Sequence, residues 1–316
     1  MTPRDTAVAA MPQDQSSAAR RVLVVVNPAA GRGRGRLAEI LRRVAGAGCA
    51  VTVRETGGPG DATRIVRHEG PLYDVVAVAG GDGTINEAAN GLAELASPPM
   101  LAVIPRGTAN VLAWEIGLGV DPVRAAHAIA DGPPAEIHLG RVNGRHFLLM
   151  AGVGFDAAVV AGVGPRLKRA LGKFAYVWRT VVELFRYHYP MFDVSIDGVP
   201  YRAASVVVAK AHFYGGRFVC APEARLTDPT FEVCLFLRGG SWHAMRYAAA
   251  LALGRLSRLS TIKIVRGRHV VIGSLGAAAD NEPVQVDGER LGGLPVDITV
   301  APRRLSLLMP GAPNHR

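Results

Sequence analysis

The chain has 316 residues, enough for two domains, and 49% of them are hydrophobic, ample for a packed core in each. Its 37 glycines and 21 prolines fall short of a low-complexity composition, and no stretch reaches the roughly 18 uninterrupted apolar residues of a membrane-spanning helix. Lys and Arg number 36 against 26 acids, a net charge of +10 that favours an anionic partner, while disordered, fibrous and transmembrane classes are excluded.

Residues 1–20 carry scattered charges, two prolines and no apolar run. They read as a loose N-terminal extension and not as a signal peptide, which implies a cytoplasmic protein. Arg21 to Val26 (RVLVVV) is a β-branched run suited to a strand buried on both faces of a parallel sheet. Asn27-Pro28-Ala29-Ala30-Gly31 breaks it, and Leu37, Ile40, Leu41 and Val44 follow at helical spacing. Ala50 to Arg54 alternates as a strand, and Asp61 suits the start of a short helix carrying Ile65 and Val66. Asp74 to Ala79 predicts the next buried strand, Thr84 to Leu95 a helix with Ile85, Ala88, Ala89 and Leu92 inward, and Met100 to Ile104 a further strand. This alternation predicts a doubly wound α/β domain over residues 21–138.

Past Ile137 the texture changes to short alternating segments between Gly, Pro and Asp turns: Phe192 to Ile196, Ser205 to Ala209, Phe231 to Leu237, Thr261 to Val265, His269 to Ile272 and Asp297 to Val300. They predict an antiparallel β-sandwich over 139–302, followed by a segment 303–316 able to return to the first domain. Two stretches hold the whole charge excess. Residues 161–190 carry Arg166, Lys168, Arg169, Lys173, Arg179 and Arg186 against Glu183, and residues 251–270 carry five bases and no acid. Between Pro165 and Tyr187, Leu167, Leu171, Phe174, Trp178, Val181 and Phe185 recur at steps of four and three. That stripe suits a helix packed on its own domain, or one lying on an anionic membrane surface with its basic flanks in the headgroups. A nucleic-acid partner is not expected, because no helix-turn-helix, ribonucleoprotein motif or zinc finger accompanies the charge. Cys49, Cys220 and Cys234 are far apart and read as reduced, buried thiols.

Ligands of open α/β sheets sit at the carboxyl ends of the strands, which directs attention to three loops. Gly80-Gly81-Asp82-Gly83-Thr84-Ile85-Asn86-Glu87 leads from a strand into a helix. Its glycines let backbone N–H groups approach phosphate oxygens, and the helix N-terminus adds partial positive charge. Asp82 is suited to hold Mg²⁺ through a water or to accept a proton, and Thr84 and Asn86 to bind phosphate or fix the loop. Asn27 to Gly31 forms a second loop, which is neither a P-loop nor a dinucleotide fingerprint, and Pro105-Arg106-Gly107-Thr108-Ala109-Asn110 forms the third.

The ordered set NPAAG at 27–31, GGDGTINE at 80–87, PRGTAN at 105–110, GVGFDAAV at 152–159 and VDGE at 286–289 resembles the diacylglycerol kinase catalytic domain family, which includes bacterial lipid kinases and sphingosine and ceramide kinases. The resemblance covers nearly everything from residue 21 to about residue 310. It implies a cleft between the two domains that takes ATP, Mg²⁺ and a lipid hydroxyl, and a peripheral position on the inner face of the membrane. Carried over by motif, Asn27, Pro28, Ala29, Ala30, Gly31, Thr56, Gly80, Gly81, Asp82, Gly83, Thr84, Asn86, Gly107, Thr108, Asn110 and Asp287 are implied as nucleotide-binding positions. Glu289 and Asp82 are the implied catalytic carboxylates, either being placed as general base in one branch of the family or another. A structural Mg²⁺ site is implied at Asp228 with the carbonyls of Arg225 and Thr230, although Pro229 and Thr230 replace the usual glycine turn. A homodimer is also compatible with the family.

NAD kinases share the Gly-Gly-Asp-Gly-Thr loop and phosphorylate a water-soluble hydroxyl, but the GTAN and DGE elements and the basic amphipathic stretch speak for a lipid acceptor. A non-catalytic sensor of nucleotide and membrane would predict loss of Asp82 or Glu289, and both are present.

Overall fold

The computed structural model describes residues 19–31, 34–164, 174–275 and 282–311. The first part is a parallel sheet wrapped by helices: β1 (Arg21–Val26), α1 (Arg34–Gly46), β2 (Ala50–Glu55), α2 (Asp61–Glu69), β3 (Val75–Gly80), α3 (Asp82–Ala93), β4 (Met100–Pro105), α4 (Val111–Glu115) and α5 (Pro122–Asp131). Strand β1 lies between β2 and β3, with Val24 opposite both Val53 and Ala77, and β3 continues to β4 in parallel. Past the exposed Arg21, the RVLVVV and VVAVAG runs contain no polar side chain because helices cover both faces, and Val22 to Val26 and Val75 to Ala79 are buried. Helix α3 buries Ile85, Ala88, Ala89 and Leu92 on one face. It begins at Asp82, two residues before the expected start, because the Ile85 N–H already bonds the Gly81 carbonyl at 3.1 Å.

The chain then forms β5 (Pro134–Val142), β6 (Arg145–Phe147), β7 (Met150–Gly154), α6 (Phe155–Gly162), α7 (Phe174–Arg186), β8 (Phe192–Ile196), β9 (Val199–Ala203) and β10 (Ser205–Ala209). After β11 (Phe213–Tyr214) and β12 (Phe218–Val219) come β13 (Phe231–Phe236), α8 (Ser241–Ala252), β14 (Ile262–Gly267), β15 (His269–Ser274), β16 (Pro283–Val286), β17 (Glu289–Gly293) and β18 (Val296–Leu308). The expected Asp297–Val300 strand is only the start of β18. This strand pairs with β5 along most of its length and adds in parallel to β4 at Leu307 and Leu101. Burial of Leu305, Leu307 and Leu308 in the first domain's core explains the extension. The result is one sheet in the order β2-β1-β3-β4-β18-β15-β8-β9, and β5 runs without a break through residues 138 and 139.

A second, antiparallel sheet has the order β14-β13-β10-β7-β16-β17. Val206 and Val208 of β10 meet Phe192, Val194, Val270 and Ile298 of the first sheet in a sandwich core, while Val207 and Ala209 point to the opposite core. Asn143-Gly144, Asp197-Gly198 and Asp287-Gly288 form two-residue hairpin turns with φ between 46° and 90°, a conformation that favours Asx-Gly pairs. Helix α8 was not foreseen, since its Ala-rich sequence carries only a narrow apolar face.

Helix α7 settles where its stripe points. Phe174, Trp178 and Phe185 are 65, 61 and 76% exposed, so the described part of the stripe is not packed on the protein's own domain. Trp242, Met245 and Leu253, on and just after α8, are also exposed, and Ser241 at the start of α8 bonds the Leu184 carbonyl of α7. Leu167, Lys168, Arg169, Leu171 and Lys173 lie outside the described residues. Among the described residues no helix is long and apolar enough to cross a membrane.

Candidate active site

Because β1 to β4 are parallel, the loops that follow them emerge at one end of the sheet. Hydrogen bonds join these loops into one surface. Asn27 Nδ2 donates to Thr84 Oγ1 at 2.9 Å, and Asn27 Oδ1 accepts from the Ala29 N–H at 2.9 Å, so one side chain shapes its own loop and binds the next. Gly31 adopts φ 69°, and a Cβ there would lie 2.0 Å from the Arg106 carbonyl oxygen. Gly81 and Gly107 approach so closely that a Cβ on Gly107 would lie 2.5 Å from the Gly81 Cα. Asn110, itself at φ 49°, closes the third loop by accepting from the Gly107 N–H at 2.7 Å and donating back to the Gly107 carbonyl at 3.0 Å. Thr108 stands exposed at the tip. Thr56 is buried at the end of β2, its N–H on the Val26 carbonyl at 2.9 Å.

Helix α3 points its N-terminus into this surface, with Asp82 in the first turn and Asp82 Oδ1 accepting from the Leu112 N–H at 3.1 Å. Glu289 arrives from the second domain, 207 positions later in sequence, as the first residue of β17. A Cβ on Gly83 would lie 2.7 Å from Glu289 Oε1, which places that carboxylate against the first turn of α3. Arg145 Nη2 holds the other oxygen, Oε2, at 2.7 Å. Sequence reading missed Arg145; the signal available was its position directly after the Asn143-Gly144 turn, which fixes its place at the start of β6.

Asn86 and Asp287, both expected at the nucleotide, have their polar groups committed to protein. They are 1% and 9% exposed, and Asn86 Nδ2 donates to Asp287 Oδ2 at 2.7 Å and to the His146 carbonyl at 3.1 Å. The Asp287 carboxylate also accepts the N–H groups of Leu148, Leu149 and Met150 at 2.8–2.9 Å. Burial pushes its pKa up to about 6 against the lowering effect of these donors. The two residues thus join α3 to the turn that presents Glu289. A second brace comes from the GVGFD segment: Gln285 Nε2 donates to Asp156 at 2.8 Å, Gln285 Oε1 accepts from the Gly288 N–H at 2.9 Å, and Tyr214 donates its hydroxyl to Asp156.

The expected structural metal site is filled differently. The carbonyls of Arg225, Asp228 and Thr230 converge on the ammonium of Lys210, at 3.2 Å for Arg225 and Thr230, and the Asp228 carboxylate pairs with Arg266 at 3.1 Å. A divalent cation beside that ammonium, about 3 Å away, would meet a repulsion of roughly 10 kcal/mol at an effective dielectric constant of 20. Arg225, Asp228 and Thr230 therefore do not fit a resident Mg²⁺. Among the described residues no group of three His, Cys, Asp or Glu side chains is placed to hold a metal.

Two sequence-family models divide the chain between them: "Diacylglycerol kinase catalytic domain" matches residues 21–142, and "YegS C-terminal NAD kinase beta sandwich-like domain" matches residues 150–309. Diacylglycerol kinase of Bacillus subtilis (strain 168) is 29% identical over 92% of this chain and 97% of its own length. A Pseudomonas aeruginosa protein named "Probable lipid kinase YegS-like" is 32% identical over 85% of this chain and 88% of its own. The crystal structure of a diacylglycerol kinase from Bacillus anthracis str. Sterne has the same fold, with a TM-score of 0.72, 24% identity and coverage of 92% and 97% of the two chains. With both of its domains matched in this way, the chain belongs to the diacylglycerol kinase family and is a lipid kinase.

Proposed function

We propose that this kinase transfers the γ-phosphoryl group of Mg·ATP to the free hydroxyl of a diacylglycerol-type lipid. The observation that carries the reading is the contact of Glu289 with Gly83, which sets a second-domain carboxylate at the mouth of a glycine-lined helix N-terminus. In this reading the backbone N–H groups of Gly80 to Thr84 and of the Asn27 and Gly107 loops receive the phosphates, and Thr108 contacts the nucleotide. Asp82, at the same N-terminus, faces the magnesium ion that enters with ATP. The lipid hydroxyl loses its proton to Glu289 as its oxygen attacks the γ-phosphorus, and the bond from that phosphorus to the β,γ-bridging oxygen breaks to release ADP. Arg145 holds the Glu289 carboxylate in place for this step.

The acceptor reaches the cleft from a membrane in the same reading. Trp178 and Phe185 on α7 and Trp242 and Met245 on α8 are exposed apolar side chains, accompanied by exposed Arg186, Arg246, Arg255 and Arg258. Aromatic rings beside arginines suit the headgroup boundary of an anionic leaflet, which would place the protein on the cytoplasmic face.

The deciding experiment is a labelled-ATP assay on a mixed lipid extract with Mg²⁺, run in parallel with NAD as acceptor and with the Glu289→Gln and Asp82→Asn variants. Label in an organic-phase lipid, lost in the variants, supports the proposal, and mass spectrometry then names the acceptor. Label in NADP would assign the activity to a water-soluble substrate instead.

A further inference from the structure

The side chain of Lys210 is wholly buried, yet it ends in an ammonium. An ammonium has three N–H donors, and here three backbone carbonyls, from Arg225, Asp228 and Thr230, receive them. Convergent carbonyl oxygens with a carboxylate near by are the usual surroundings of a hard metal cation. Carbonyls of one short loop that turn inward together need a donor or a cation between them to offset their mutual repulsion. The Asp228 carboxylate adds an attraction to the ammonium.

The loop matters to the site beyond its own shape. The Leu226 carbonyl accepts from the His138 N–H of β5 at 2.8 Å. Lys210 itself directly follows β10, with its N–H on the Leu149 carbonyl at 2.8 Å, next to the residues that hold Asp287. Two residues on, the N–H and ring of His212 bond the Glu115 carboxylate of α4 at 3.1 and 2.9 Å, and α4 follows the Pro105–Asn110 loop directly. A cation in the 225–230 loop therefore sits where β5, the Asp287 anchor and α4 meet.

We infer that Lys210 is a covalently tethered substitute for a structural divalent cation: its ammonium fills the carbonyl cradle of Arg225, Asp228 and Thr230, so the fold needs no bound metal there.

The test reads stability and metal content of the full chain without nucleotide, so it does not depend on activity and its failure is distinct from failure of the kinase reading. After dialysis against Mg²⁺ and desalting, elemental analysis of the wild type should find no stoichiometric Mg²⁺ or Ca²⁺, and EDTA should leave its Tm unchanged. Lys210→Met should lower the Tm by about 5 °C or more, with no response to either ion. Lys210→Ala and Lys210→Ser, which open the cradle, should lose a similar amount and regain part of it on saturable addition of Mg²⁺ or Ca²⁺. Stoichiometric metal in the wild type, or a wild-type Tm that falls with EDTA, would overturn the inference whether or not the variants fold. It would equally be overturned if neither small variant responded to metal, since the cradle would then not be a cation site.

Discussion

Gly83 and Glu289 come from different domains and touch: any side chain at position 83 would occupy the space of the Glu289 carboxylate. The absence of a Cβ on α3 is thus part of how the second domain delivers its acid. Gly83→Ala is expected to push the flexible end of Glu289 aside, lowering kcat by about 10–100-fold with little change in Tm, whereas Glu289→Gln should lower it by roughly 10²–10⁴-fold. Steady-state kinetics on lipid vesicles beside a thermal melt separate the two effects. A Gly83→Ala enzyme of wild-type kcat would mean that the position of Glu289 does not limit the reaction.

Arg145 acts on the same carboxylate from the other side. Arg145→Met should reduce kcat while leaving the KM for ATP within about twofold, because Arg145 orients the acid and donates to none of the phosphate loops. A change confined to the KM for ATP would place Arg145 at the nucleotide instead.

The bond from Asn27 to Thr84 ties the first loop to the second. Thr84→Val keeps the shape of the side chain and removes the acceptor, so the KM for ATP should rise about tenfold, the equivalent of one side-chain hydrogen bond of about 1.4 kcal/mol. Calorimetric ATP binding to the variant checks this directly.

Asp287 offers a pH signature. Its folded pKa, near 6, lies above the ordinary carboxylate value of 3.8. The folded state therefore holds the proton more tightly, and the stability this group contributes is present below about pH 4 and lost as pH rises through 6. Measured by urea unfolding, the stability advantage of wild type over Asp287→Asn should shrink by about 2 kcal/mol between pH 4 and pH 7. An advantage that grows over that range would show that the four N–H donors outweigh burial.

Exposure of the α7 and α8 apolar residues leads to a binding prediction. Trp178→Ala combined with Trp242→Ala should weaken association with anionic vesicles at least tenfold without altering ATP affinity, given the apolar area two indole rings bury. Replacing Lys168, Arg169 and Lys173 by Glu should do the same through charge. Vesicle sedimentation that is unchanged in both variants would remove the membrane role of this face.

Some of this protein follows from local chemistry and is legible in one dimension. RVLVVV and DVVAVA suit strands buried on both faces, and glycines placed between such strands and helices mark the loop end of the sheet where a ligand is sought. The motif set carried the family as well, and Glu289 stood out as part of its last member. What sequence did not show depends on atoms distant along the chain. Asn86 and Asp287 look like ligand-binding residues until burial commits them to each other. Arg145 looks like a surface charge until the 143–144 turn brings it to Glu289. Likewise, Lys210 sits at the end of an ordinary β-strand, and only the closing of the 225–230 loop over it turns three carbonyls toward its ammonium. The stripe of α7 has the same periodicity whether it faces a core or a membrane; its exposure is decided by which surfaces the sandwich had already covered. Periodicity and turn chemistry are local, so sequence determines them, while burial and charge pairing are sums over long-range neighbours and exist only once the chain has folded.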